Sequence, residues 1–213
     1  MAARRRTERP WWGHGDLAAS LVLVFPLLLV YEVGVLFAGS VNGADVVTRL
    51  LFAALGRPAY LALHALIAIG FLLWIRRGRR WTTLRLEVAA PVILERVLGL
   101  GLSSASVIDA LGAGVHEELV FRLALLGGLV AFAAGSPATA RWPRLAVFGA
   151  LVLSSIAFSL AHHVGGYGEP WAARAFAFRL LAGAALGAIF WFRSLAHAVY
   201  AHAIYDLLVY WRG

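Results

Sequence analysis

Apolar residues in this chain come in long stretches separated by short polar punctuation, and these stretches set the expected elements. Residues 17–38 are apolar apart from Ser20, Tyr31 and Glu32, which is long enough to cross a bilayer at about 20 residues per span. Pro26 lies inside this run and is expected to kink it. Residues 39–57 are mixed, with Asn42, Gly43, Asp45 and Arg49, and read as a loop or short helix. A second span is expected over 58–75. Residues 86–109 read two ways, because Pro91, Glu95, Arg96 and Asp109 interrupt an apolar stretch. They form either a short span or an interfacial helix. Helices then follow over 113–133, 144–164, 174–192 and 195–212. The turn Gly165-Gly166-Tyr167-Gly168-Glu169-Pro170 breaks the chain between the second and third of these. The fold class is all-α: a polytopic transmembrane helical bundle of about seven spans, within a range of six to eight. Residues 1–16 read as a basic cytoplasmic tail, and 17–213 as a single transmembrane domain whose intramembrane polar motifs lie in 113–212.

Composition agrees with the pattern. Of 213 residues, 62% are apolar and 14% charged, whereas soluble domains average about 45–50% and about 25%. A disordered chain, a nucleic-acid module and an ordinary soluble enzyme are excluded. The net charge is +8, and all 19 basic residues are arginine. They cluster at the ends of apolar runs, so they act as topology anchors and imply no nucleic-acid partner. The groups Arg4–Arg6 and Arg76–Arg80 flank two spans and place both ends on the cytoplasmic side. A full span within 86–109 makes the loop with Arg141 and Arg144 cytoplasmic and opens the site outward, as the arginine distribution favours. An interfacial 86–109 turns the site toward the cytoplasm. Without cysteine there is no disulfide, thiolate nucleophile or Cys-bound metal.

The polar residues inside the later spans are costly, at about 2.5–3.5 kcal/mol for a charge at the centre of a span. Glu118 and Arg122 are four apart and share a helix face, which pairs them and leaves Glu117 over. Phe158 and His162 are four apart on the next helix, as are His202 and Asp206 on the last. An antiparallel arrangement brings Glu117, near the start of its helix, level with His162 at the end of the next. Asp206 is displaced from mid-span His202 toward the same face. Three segments thus send polar groups to one depth, as a catalytic or ion site requires. A carboxylate beside histidines can activate water, and the histidines can bind a divalent metal or donate to an oxyanion. The zinc pattern H-E-x-x-H fails here, since Val120 stands where the second His is needed. The Gly-x-Ser-Gly motif of other intramembrane proteases is also absent, as is the pair of intramembrane Asp residues, one in a Gly-x-Gly-Asp context, that a di-aspartyl protease needs.

The set Glu117-Glu118-x-x-x-Arg122, Phe158-x-x-x-His162 and His202-x-x-x-Asp206 resembles the CPBP family of intramembrane proteases, which includes CAAX prenyl proteases of the Rce1 type and bacterial Abi proteins. The run 178–187, with Gly183 and Gly187 four apart, is similar to that family's glycine-bearing helix. The resemblance covers about residues 100–212 and implies an intramembrane endopeptidase. Its catalytic residues would be Glu117, Glu118, Arg122, His162, His202 and Asp206. It makes Glu117 the water-activating carboxylate beside His162. Glu118 pairs with Arg122, and His202 stabilises the oxyanion or binds metal with residue 206. Family members more often carry Asn at that position. Asp206 only accepts when ionised, which weakens a pure oxyanion-donor role. The candidate ligands of a divalent metal are Glu117, His162, His202 and Asp206, with zinc not established. Residues 26–34 look similar to myxosortase-like members, which would process C-terminal membrane anchors. The implied partners are the lipid bilayer and a membrane-anchored or lipidated protein substrate, cut near its C-terminus. The Arg-rich, Lys-free composition suggests a bacterial inner membrane.

A non-enzymatic role is the alternative: a bacteriocin-immunity-like scaffold or an ion or proton pathway with a relic site. Polar residues on several spans also describe a proton relay. A transporter would be expected to have related halves or broken helices, which the sequence lacks. A relic site tolerates replacement of Glu117; a protease does not.

Overall fold

A computed structural model describes residues 17–38, 46–78, 103–164 and 168–212, all helical or in short connections. Helix α1 is Leu17–Ala38 and α2 is Val46–Arg77. A continuous rod follows, made of α3 (Ser104–Gly112), a π-wound segment (Ala113–Gly127) and α4 (Gly128–Gly135). Then come α5 (Pro143–Ala161), α6 (Ala173–Phe192) and α7 (Leu195–Arg212). Five stretches are long and apolar enough to cross a membrane among the described residues: Leu17–Val35, Ala53–Arg77, Ala105–Gly135, Pro143–Ala161 and Ala173–Phe192. The all-α membrane bundle expected from the hydrophobic pattern is thus present.

Local chemistry explains most boundaries. Pro26 sits inside α1 without ending it. In α2 the helix breaks at Gly56 (φ 73°, ψ 161°), a left-handed conformation that favours glycine. Pro58 follows, in the first turn of the resumed helix, where its missing N–H costs nothing. The helix of the second span resumes beside Pro58, although the apolar stretch reaches back to Ala53, and residues 46–55 form the short helix that is one of the two readings of 39–57.

The rod departs from the sequence reading. The expected start at residue 113 moves back to Ser104, capped by the Ser103 hydroxyl, which accepts from the Ser106 N–H at 3.0 Å. Residues 103–112 of the ambiguous stretch 86–109 belong to this helix, and 86–102 lie outside the described residues. Glu117 is consequently well inside a long apolar rod, away from any helix start.

Buried side chains of α1, α3 and α7 meet in one cluster that includes Leu27, Tyr31, Leu111, Val115, Val199 and Ala203. Lipid is as apolar as these residues, so close packing rather than escape from water holds the helices together. Two glycines let the backbones of neighbouring helices come close. A Cβ at Gly114 would lie 2.9 Å from the Ala203 Cβ and 3.0 Å from its backbone nitrogen. One at Gly183 would lie 3.2 Å from both the Phe158 ring and the Ser155 Cα. The first brings α7 against the π-wound segment, and the second seats α6 on α5. The Tyr200 hydroxyl donates to the Leu23 carbonyl at 3.0 Å and ties α7 to α1.

Candidate active site

The π-wound segment and α5 run antiparallel. Val130 packs with Ala150, the Ser154 hydroxyl donates to the Phe121 carbonyl at 2.7 Å, and Glu117 meets His162. π-winding frees backbone carbonyls from the i−4 ladder and recurs at functional sites. Ser154 uses one such carbonyl to fix the height of α5. On α6, the Phe176 carbonyl accepts from the Ser159 hydroxyl at 2.8 Å.

Glu117, Glu118 and Arg122 are all at most 1% exposed. Such burial of charge requires partners. Arg122 Nε lies 3.1 Å from Glu118 Oε2, as the spacing of four predicts. Its Nη2 donates to the Gly183 carbonyl at 3.4 Å, and its guanidinium lies 4.3 Å from the Phe158 ring centroid. The second oxygen of Glu118, Oε1, accepts from His202 Nδ1 at 2.8 Å. Glu118 is thereby the joint between the guanidinium and the histidine of the last helix. The carboxylate also fixes the tautomer of His202, since it can only accept from Nδ1–H.

His162 is held in the same way by a different acceptor. It immediately follows α5, and its Nδ1 lies 2.8 Å from the Phe158 carbonyl. Both rings consequently aim Nε2 at Glu117. Glu117 Oε2 is 3.8 Å from His162 Nε2 and 3.9 Å from His202 Nε2. Asp206 Oδ2 is 3.6 Å from His202 Nε2. The Phe158 ring is the hub of the cluster, edge-on to His162 at 5.0 Å, His202 at 5.9 Å and Phe121 at 5.4 Å. All six residues singled out from the sequence lie in this one cluster.

Neighbouring histidines go elsewhere. The Nδ1 of His163 is 3.3 Å from the Glu169 carbonyl, and its ring packs on Trp171. His197 is exposed and bonded to Ser194 at the start of α7. In the loop before α6, Glu169 accepts from Arg179 at 2.6 Å, and this bond holds its carboxyl below the usual carboxylate range.

The donor types around Glu117 suit a divalent ion, but the pairs His162–Glu117, His202–Glu117 and His202–Asp206 are 3.6–3.9 Å apart. Neighbouring ligands of a tetrahedral zinc with bonds of about 2.0–2.1 Å sit about 3.3 Å apart. Another set of potential ligands occurs among the described residues at Glu32, His64 and His116, whose donor atoms all lie within 4.8 Å of one another. The hydrophobic pattern sets Glu32 apart within the first apolar run but does not mark His64. No spacing rule connects residues so far apart in the chain.

No curated protein and no solved structure matches the chain. The family model described as type II CAAX prenyl endopeptidase Rce1-like matches residues 100–208, a stretch that holds Glu117, Glu118, Arg122, His162, His202 and Asp206. With its apolar helices and a match over half its length, the chain is an integral membrane protein that belongs to the Rce1-like family of proteases.

Proposed function

We propose that this protein hydrolyses a peptide bond near the C-terminus of a membrane-associated protein, using water activated by Glu117. The observation that carries the reading is the convergence of two imidazole Nε2 atoms on Glu117 Oε2, at 3.8 and 3.9 Å, from separate segments. These separations are too long for direct hydrogen bonds and suit a bridging water. Glu117 takes a proton from that water, and the hydroxide attacks the substrate carbonyl. The resulting oxyanion accepts from Nε2–H of His202 in its imidazolium form, protonated on both nitrogens, while its Nδ1–H stays on Glu118. Collapse breaks the C–N bond, and the proton on Glu117 passes to the leaving amine. His162 orients the water, and Arg122 balances the charge of Glu118.

The family description supports a prenylated or otherwise lipid-anchored protein as substrate. The apolar setting supports the same class, because a lipid anchor holds the scissile bond near membrane depth. The arginine clusters support an N-terminus in the cytoplasm of a bacterial cell.

The test compares C-termini in the membrane proteome of wild-type cells and a Glu117→Gln strain at matched protein levels. General-base loss lowers turnover by about 10²–10⁴-fold, so specific C-terminal fragments are expected to disappear. An unchanged fragment set with the wild-type protein folded and expressed overturns the reading and points to a binding or immunity role.

A further inference from the structure

We infer that Glu32, His64 and His116 form a binding site for one divalent transition-metal ion, distinct from the Glu117 cluster. They come from α1, α2 and the π-wound segment. All three are largely buried, with side-chain exposures of 13% for Glu32 and 9% for His64, and His116 at 7%.

The hydrogen bonds of the two rings specify the ligand chemistry. His64 Nδ1 lies 2.9 Å from the Tyr60 carbonyl, and His116 Nδ1 lies 3.2 Å from the Gly112 carbonyl. A carbonyl only accepts, so each Nδ1 carries a proton and leaves Nε2 as the atom that can ligate an ion. Metal-binding histidines are usually anchored in this way, with the other ring nitrogen donating to a carbonyl or carboxylate. Opposite His64 Nε2, at 3.3 Å, is Glu32 Oε1, another acceptor. Glu32, His64 and His116 each offer one ligand atom, and the three atoms lie within 4.8 Å of one another, so one ion can be shared among them. The His64–Glu32 distance equals the edge of about 3.3 Å expected between two ligands of a tetrahedral zinc.

The surroundings fix the ligands further. The Tyr60 ring stacks on His64 with centroids 3.9 Å apart, and its hydroxyl points at Glu32 Oε1 from 3.5 Å. Tyr31 lies edge-on to His116 at 5.0 Å. Two imidazoles and a carboxylate suit zinc, with a fourth position for water. The ion would clamp α1 and α2 to the helix that carries the catalytic glutamates, since His116 directly precedes Glu117.

The experiment uses the full-length protein purified in detergent, stripped by chelator and dialysed against zinc chloride. Zinc per chain is read by elemental analysis and thermal midpoint by intrinsic fluorescence, so neither readout depends on protease activity. Wild type and Glu117→Gln are expected to hold about one equivalent and to gain thermal stability from it. His64→Gln and Glu32→Gln are expected to bind zinc at least about 100-fold more weakly, beyond the effect of losing an outer hydrogen bond. Two results overturn the proposal. Wild type retaining no more zinc than His64→Gln makes the cluster a carboxylate–imidazolium pair. A bound zinc lost in Glu117→Gln but kept in His64→Gln assigns the ion to the other cluster. Should the His64 and Glu32 variants fail to fold, cobalt(II) added to wild type decides: a tetrahedral ligand-field spectrum supports the site, and a spectrum of hydrated ion overturns it.

Discussion

Replacing Arg122 with Met tests how a buried ion pair behaves when its surroundings are lipid. In a water-soluble protein, removing one partner of such a pair costs about 3–5 kcal/mol. Here the two partners are four apart on one rod, with Arg122 Nε 3.1 Å from Glu118 Oε2. Moving that rod out of the bundle into lipid leaves the pair together, so it largely cancels between the assembled and dissociated states. What Arg122 adds to assembly is its contact with other helices: the Gly183 carbonyl at 3.4 Å and the Phe158 ring at 4.3 Å. A cation over an aromatic face contributes about 0.5–2 kcal/mol, and a polar contact between membrane helices about 0.6 kcal/mol. Arg122→Met is therefore expected to lose about 1–3 kcal/mol of bundle stability, measured by steric trapping in bicelles. Glu118→Gln weakens the His202 contact in turn. Because the Arg–Glu pair cancels, the double variant should lose the sum of the singles within about 0.5 kcal/mol. A loss above about 4 kcal/mol for Arg122→Met, or coupling above about 1 kcal/mol, refutes the lipid-reference reasoning.

Three further outcomes are expected. Gly114→Val drives a side chain into Ala203, whose Cβ would be 2.9 Å from the new Cβ, and costs about 1–3 kcal/mol with loss of cleavage. Gly149→Val, where a Cβ meets nothing within 4 Å, is the control, and equal loss in both contradicts the close-approach role. Asp206→Asn keeps cleavage within about tenfold of wild type in a purified assay, because Asp206 lies 3.6 Å from His202 Nε2, too far for a direct bond, and an amide can donate to an oxyanion. A loss as large as that of Glu117→Gln would make the carboxylate itself essential. Glu169 titrates below its ordinary range because Arg179 donates to it. Its hold on the loop before α6 is therefore complete above the ordinary carboxylate pKa and lost as pH falls through the depressed one. Protease nicking of that loop should rise over this acidic window in wild type and be independent of pH there in Glu169→Gln.

The catalytic half was legible because its chemistry is written in spacings that one helix face enforces. Glu118 and Arg122 pair as their separation requires, and His162 and His202 meet Glu117 because short connections force neighbouring helices to turn back on one another. The rod's true start was hidden by Asp109, which reads as an interruption of an apolar stretch, while Gly112 and Gly114 beyond it serve close packing against Tyr31 and Ala203. A glycine that weakens a helix in water lets two helices touch in lipid. Glu32 and His64 were illegible as partners for a different reason. They lie on separate spans and meet His116 through the packing of α1 and α2, which no local periodicity encodes.

His116, Glu117 and Glu118 are consecutive, and each addresses a different neighbour: the first two helices, the His162–His202 pair, and the Arg122–His202 joint. This makes the rod a phased component, like a key whose teeth face several wards at once. A substitution there changes one tooth. A single-residue insertion or deletion between Ser104 and His116 would turn the entire triplet by about 100° relative to the cap that anchors it. Lengthening the loop over residues 136–142 leaves that phase unchanged, whereas any change of length in the rod between Ser103 and Arg122 shifts it.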